Sequence, residues 1–525
     1  MKRFSIALAI LMLCLVIIAG CATPAPATPP VKPATPATAP PKPAAPAAPQ
    51  PQYGGTLKII WAANPVNLGY PPEGDPNTGS ANIPCVQSLL WNDETGSPVP
   101  LLATAWEVSP DGKAVTFNLR KGVKFHDGTD FNADALKWNY DAVIAKNAVM
   151  LKPIISVDVL DPYTVRLNLS QFSNVIFNTL AFSGIVSPTA VNQKGKDWAK
   201  INPVGTGPFK FVEFKSSVST KWAKFDDYWE KGKPYLDAIE YEIVADRTVA
   251  SMAFQKGQTH ILMQTTEQIA NDLKSKGFVV KSMPGSSNFL ASDSGNSDSP
   301  FANLKVRQAV EYAIDKQKLV AAVGYGLMTP SNQLAPPQIA GYNPDIKGRE
   351  YDPAKAKQLL KEAGYPTGFK TTLITQSTQN QDIVVALQTY LKEVGIDATL
   401  DVMDTARWAD TRTKGWKNGL AMGRTGLDPN MNQRLVPDLG AASPSYPNMA
   451  RPAQWQPSLD ESVAARDLAG RKVKLQQVMK INYDEAFVIP LWISSDIDVE
   501  QASVNCDYLV THHIQWKPGN AWLGK

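Results

Sequence analysis

The chain is short of charge, cysteine and histidine. Charged residues are only 19% of its 525 positions, below the roughly 25% usual in soluble domains. Lys plus Arg is 52 and Asp plus Glu is 48, giving +4. Without a basic excess there is no footprint for nucleic acid. Four cysteines exclude a disulfide-dense scaffold. Neither Cys85 nor Cys506 sits in a Cys-x-x-Cys pair, which argues against structural zinc. The four histidines are His126, His260, His512 and His513. The adjacent pair would point to opposite faces of a strand, so no metal site assembles from them. No Gly-x-x-x-x-Gly-Lys, Gly-x-Gly-x-x-Gly, Gly-x-Ser-x-Gly or His-Glu-x-x-His occurs. These absences argue against the common nucleotide-using and hydrolase classes. A triad of distant residues stays open, because order in sequence does not reveal it. The acidic pairs Asp226-Asp227 and Asp484-Glu485 read as turn and surface acids rather than sugar chemistry.

What is abundant is proline, 42 residues, and it is concentrated near the start. Lys2 and Arg3 precede an apolar stretch, Ile6–Gly20, of signal-peptide length. It ends Ile18-Ala19-Gly20-Cys21, which resembles a bacterial lipoprotein box with Cys21 as the lipidated mature N-terminus. Two or more acyl chains anchor stably where one does not. Residues 22–52 hold 12 Pro and 10 Ala and no large side chain. Such a tract builds no core and stays extended, as a tether would. No further apolar run near 18 residues follows, so no second span is expected.

From Tyr53 onward strand and helix patterns alternate. Residues 106–119 read as a hairpin, with Pro110, Asp111 and Gly112 at the turn. Residues 164–169 and 238–244 alternate as strands. Val306, Ala309, Val310, Ala313 and Ile314 mark a helix capped by Asn303. Asp352 and Pro353 open another, which Gly364 ends. Further helices are expected over 381–393 and 464–481, then a strand over 486–493. Strands and helices mixed over this length give an α/β protein of more than one lobe. Trp61, Trp408, Trp416 and Trp455 lie among Asn, Gly, Pro and Arg, as pocket walls or as core.

Several segments taken together are similar to the family 5 extracellular solute-binding proteins, the peptide/nickel type. They are Gly54–Lys58, Leu101–Lys113, Phe117–Thr129 running into Asn132–Leu136, Pro203–Phe209, Val306–Val310, Tyr351–Tyr365 and Ile489–Trp492. The resemblance implies a two-lobed periplasmic-binding-protein-like fold (type II, cluster C-like) with an extra domain. Lobe I would take 53–87, 204–287 and 490–525, the extra domain 88–203, and lobe II 288–489. It implies capture of a peptide-like or other small solute between closing lobes, as the monomeric receptor of an ABC importer. The permease and ATPase would be separate subunits beside a lipid-anchored receptor at the outer face of the cytoplasmic membrane, and no cofactor is implied. A secreted hydrolase and a sensory lipoprotein are the alternatives. It also places Cys85 and Cys506 in one lobe, where they could pair. Peptide-binding members carry Asp-Tyr-x-Asp-Pro, whose first Asp meets the peptide ammonium. The matching stretch here is Thr425-Gly-Leu-Asp-Pro429, with Arg424 before it. The departure implies a ligand without a free amino group, with its anion on Arg424. Asn77, Thr78, Trp408, Arg424, Thr425 and Asp428 are the ligand-binding residues this resemblance selects.

Overall fold

The computed structural model describes residues 50–70, 73, 76–145, 153–506 and 516–524. Cys21, the apolar leader and most of the Pro/Ala tract lie outside these residues, as do His512 and His513. Among the described residues no helix is long and apolar enough to cross a membrane.

One mixed sheet organises residues 51–525. Its strands are Thr56–Trp61 (β1), Phe209–Lys215 (β2), Ser219–Lys224 (β3), Ala238–Ile243 (β4), Ile261–Leu262 (β5), Val279–Ser292 (β6), Met328–Pro330 (β7), Phe369–Gln376 (β8), Ile396–Met403 (β9), Gly419–Gly426 (β10) and Val488–Glu500 (β11). The spatial order is β2-β3-β4-β1-β5-β11-β6-β10-β8-β9, with β7 on β11. Among the described residues only β6 and β11 run the length of both halves. They pair antiparallel from Val279↔Glu500 to Ala291↔Val488, with register breaks at Pro284/Ser286 and Asn288/Phe289. A bulge bends a strand where it occurs. At the first break a Cβ on Gly285 would stand 2.5 Å from Asp496 Oδ1 and 2.8 Å from its amide, so only glycine fits.

Each half has its own cores. Leu57, Ile59, Phe209, Trp222, Ile239 and Tyr241 fill one face of the first half. Ile60, Phe254, Leu273 and Val499 fill the other. In the second half Leu290, Val310, Leu360 and Leu387 pack one face, and Phe289, Leu435, Trp455 and Phe487 the other. Both faces are therefore covered, as parallel strands require. A separate four-stranded sheet, in the order 103–108, 114–119, 164–169, 154–161, has a core of Phe117, Phe125, Leu136, Leu167 and Leu180. Burying one such side chain is worth about 1.5–3 kcal/mol.

The expected elements largely form. Asn303 caps Leu304–Ala313, and Asp352 caps Pro353–Glu362 through the Lys355 amide. Gly364 and Gly395 take φ of 93° and 97°, which stops the helices before them. The helix expected over 464–481 is corrected to two: Trp455–Ala464 and Leu468–Glu485. Asp467 accepts the Gly470 amide at 2.7 Å and starts a new helix there. The strand expected over 486–493 is also longer than expected, running from Val488 on to Glu500.

Candidate functional site between the lobes

Strand direction locates the site. β1 runs parallel to β4 and β5, and β5 is antiparallel to β11 through Ile261↔Glu500. These strands therefore point along β6, toward the second half. There β8 is parallel to β9 and β10, while β10 is antiparallel to β6, from Ser292↔Leu420 to Ser286↔Gly426. These strands point back toward the first half. Ligands of open α/β sheets lie beyond the carboxyl ends of parallel strands. Here two sets of such ends, at Trp61 and Leu262 and at Gln376, Met403 and Gly426, converge on the bulged middle of β6 and β11.

On the first side Trp61 Nε1 donates to Gln264 Oε1 at 2.9 Å. Gln264 adopts φ of 52°, and its amide donates to the buried Asp498 at 2.8 Å. A non-glycine residue held in this region costs of order 1–3 kcal/mol. The loop after β1 is pinned by Thr78, whose Oγ1 donates to Asn67 O at 3.0 Å. Asn82 Nδ2 adds a 2.7 Å bond to Leu68 O. Thr78 is buried, so it shapes the loop. Asn77 lies in the same Pro76–Asn82 helix, and its side chain lies outside the described residues.

On the second side the sequence candidates separate. Arg424 is exposed near the end of β10, opposite Asn288 of β6. Among the described residues no carboxylate pairs with it. Thr425 is buried and donates from Oγ1 to Asp438 Oδ2 at 2.8 Å. Arg412 approaches the other oxygen of Asp438 at 3.7 Å and donates from Nε to Ser445 Oγ at 3.0 Å. Trp408 is half-buried against the core on the Thr405–Lys414 helix, which follows β9. Tyr446, also at positive φ, stacks edge-on to Phe289 and Trp416. Burial pushes its hydroxyl up to about 12, so it is a neutral wall. Trp61 and Trp455 are fully buried core residues, and Trp416 is nearly so.

Asp428 turns away from this group. Its Oδ1 accepts Asn178 Nδ2 at 3.1 Å and the Asn430 amide at 3.0 Å. Asn430 Nδ2 reaches Asn174 and Asn178, and Asn432 Nδ2 reaches Asn174. This buried amide network ties the Val175–Phe182 helix to the segment after β10, some 250 residues away. Burial raises Asp428 to about 6.

Cys85 and Cys506 are not bonded to each other, so the pair that the resemblance allows does not form. Cys85 Sγ donates to Pro203 O at 3.5 Å and lies 3.6 Å from His126 Nδ1. Cys506 Sγ lies 3.8 Å from Glu500 Oε1. Burial pushes Cys85 up to about 12 and His126 down to about 4, so both are neutral at physiological pH. Gln264, Asp438, Arg412 and Tyr446 were not found from sequence. None belongs to a motif, and each is brought in by a turn or helix beyond a strand end.

Two lobes joined by two bent strands, with strand ends aimed at the gap, are the build of a two-lobed solute-binding protein. Residues 97–444 match the family model described as "Bacterial extracellular solute-binding proteins, family 5 Middle", and the chain belongs to that family. A glutathione-binding protein of Salmonella choleraesuis is 37% identical over 352 residues, covering 65% of this chain and 68% of that protein. The Helicobacter pylori ABC transporter-associated periplasmic binding protein DppA, in complex with peptide STSA, is 26% identical. It has a TM-score of 0.74 and covers 90% of this chain and 99% of that one. The substrate-binding protein CtaP of Listeria monocytogenes shares the fold at 20% identity, with TM-score 0.80 over 90% of this chain and all of that one.

Proposed function

We propose that this chain is the lipid-anchored receptor of an ABC importer and captures a peptide-like solute through its carboxylate. Arg424 carries the reading: a guanidinium near a strand end, exposed, with no carboxylate partner among the described residues. Arg presents a planar fork that fits a carboxylate. The position where peptide-binding members hold an acid is Thr425, and its hydroxyl is already committed to Asp438. A ligand with a blocked or absent amine therefore leaves no buried ammonium unpaired. Similarity to glutathione-binding proteins supports a small, carboxylate-rich peptide as the class. Closing the lobes about β6 and β11 needs only contacts that are stronger in the closed form, so capture and release proceed without bond cleavage. Anchoring through Cys21 rests on the lipoprotein box and the Pro/Ala tract that follows it.

Calorimetry with glutathione, N-acetyl-glutathione and trialanine tests the ligand class. The N-blocked peptide should bind at least as tightly as the free one, and Arg424→Ala should weaken it about tenfold or more. Tight binding of trialanine that Arg424→Ala leaves intact would overturn the reading. Radiolabelled palmitate should attach to the chain in a bacterial host and be lost in Cys21→Ser.

A further inference from the structure

A cavity of about 400 Å3 lies between the four-stranded sheet and the start of the Leu468–Glu485 helix. It is within the roughly 300–1,000 Å3 range of small-molecule sites. None of its lining residues stands at the strand ends described above. Three aromatic rings form one side. Trp106 and Phe177 are 6.1 Å apart, and Phe172 and Phe177 6.2 Å. Val108 and Leu468 extend the apolar wall.

The polar wall is cationic. Arg471 lines the cavity and is 5% exposed. One of its Nη atoms donates to Thr95 O at 3.0 Å, while its Nε has no partner. Among the described residues no carboxylate lies within ion-pair distance of it. Asp428 and Asp93 act on it only through space. A buried guanidinium without a paired anion is costly. Arg466 adds a second cation at the rim, stacked 5.7 Å from the Phe172 ring. Asp467 is the one acid of the lining, and its Oδ1 is spent capping the helix at Gly470. Asn174 has no spare capacity, since its amide is used by Ser462, Ala465, Asn430 and Asn432.

We propose that this cavity is an accessory binding site for a small carboxylate with an aromatic or branched apolar body. The carboxylate would sit on Arg471 and the body against Trp106, Phe172 and Phe177. Because the walls come from two separate parts of the fold, an occupant would hold those parts together.

The test is titration of the full chain with phenylacetate, followed by calorimetry and Trp fluorescence, with 2-phenylethylamine as the cation of similar shape. Phenylacetate should bind once per chain, and the amine at least about tenfold more weakly. Arg471→Gln should lower affinity by about tenfold or more. Leu468→Trp, which fills the cavity from its exposed rim without touching the buried network, should abolish binding. Arg424→Ala, which alters the inter-lobe cleft alone, should leave the phenylacetate affinity within about twofold. Absence of saturable binding, equal binding of the amine, survival of binding in Leu468→Trp, or its loss in Arg424→Ala would each overturn the proposal.

Discussion

Replacing Asp428 with Asn should stabilise the protein at neutral and alkaline pH. The carboxyl is 5% exposed and accepts two hydrogen bonds at one oxygen, from Asn178 and Asn430. Asn keeps an oxygen for both and deletes the charge. Burial raises the group from 3.8 to about 6, against opposing pulls from the Asn430 amide, Arg434 and Arg471. The folded form therefore holds the proton more tightly than the unfolded chain does. The protein is at its best with respect to this group below pH 4, and loses stability as pH rises through about 6. At 1.36 kcal/mol per pH unit the full cost above that window is about 3 kcal/mol. Unfolding entropy near 2.1 cal/mol/K per residue, over roughly 475 residues, is about 1 kcal/mol/K, so Asp428→Asn should melt about 3 °C higher at pH 8. At pH 4 the advantage should shrink to about 0.5 kcal/mol, since the folded wild type is then neutral at this site. Melting curves of both proteins at pH 4, 6 and 8 decide it. A variant less stable than wild type at pH 8, or a difference that does not change with pH, refutes the reasoning. The first result would mean that Arg471 and Arg434 hold the charge more firmly than burial penalises it, and the second that the two effects cancel.

Three further outcomes follow from the same geometry. Gly285→Ala places a methyl against Asp496 at the bend of β6, and overpacking there should cost about 1–3 kcal/mol in urea denaturation; an unchanged midpoint would show that the bend is soft. Thr425→Val removes the 2.8 Å bond to the Asp438 carboxylate and should cost about 1.5–3 kcal/mol, read as a lower denaturation midpoint at pH 7. With a thiol-labelling reagent at pH 8, Cys506 should react in the folded protein and Cys85 only on unfolding, because Cys85 is fully buried and pushed up to about 12. Reductant should leave the melting temperature where it was, whereas a drop would reveal a Cys85–Cys506 bond.

Local signals reached the helices, while the site depended on what local signals do not carry. Asn303, Asp352, Gly364 and Gly395 could be read because a cap or a stop is decided within four residues. The break at 465–467 could not, because Ser462, Leu468 and Leu475 keep apolar or small residues near helical spacing on both sides of it. Only the Asp467 side chain, by taking the Gly470 amide, starts the second helix. Asp428 was legible as a motif residue, yet its partner Asn178 stands 250 positions away on another sheet's helix. Strand β11 makes the physical reason plain. A reading by apolar runs stops it at Ile493, since Ser494, Ser495, Asp496, Asp498 and Glu500 follow. The strand nevertheless continues, and its last two acids are buried with partners: Asp498 accepts the Gln264 amide, and Glu500 pairs with Lys281 at 2.7 Å. The polar residues in its second half thus hide the strand from a reading by apolar runs, because their partners, the Gln264 amide and Lys281, arrive only once β5, β6 and β11 lie side by side.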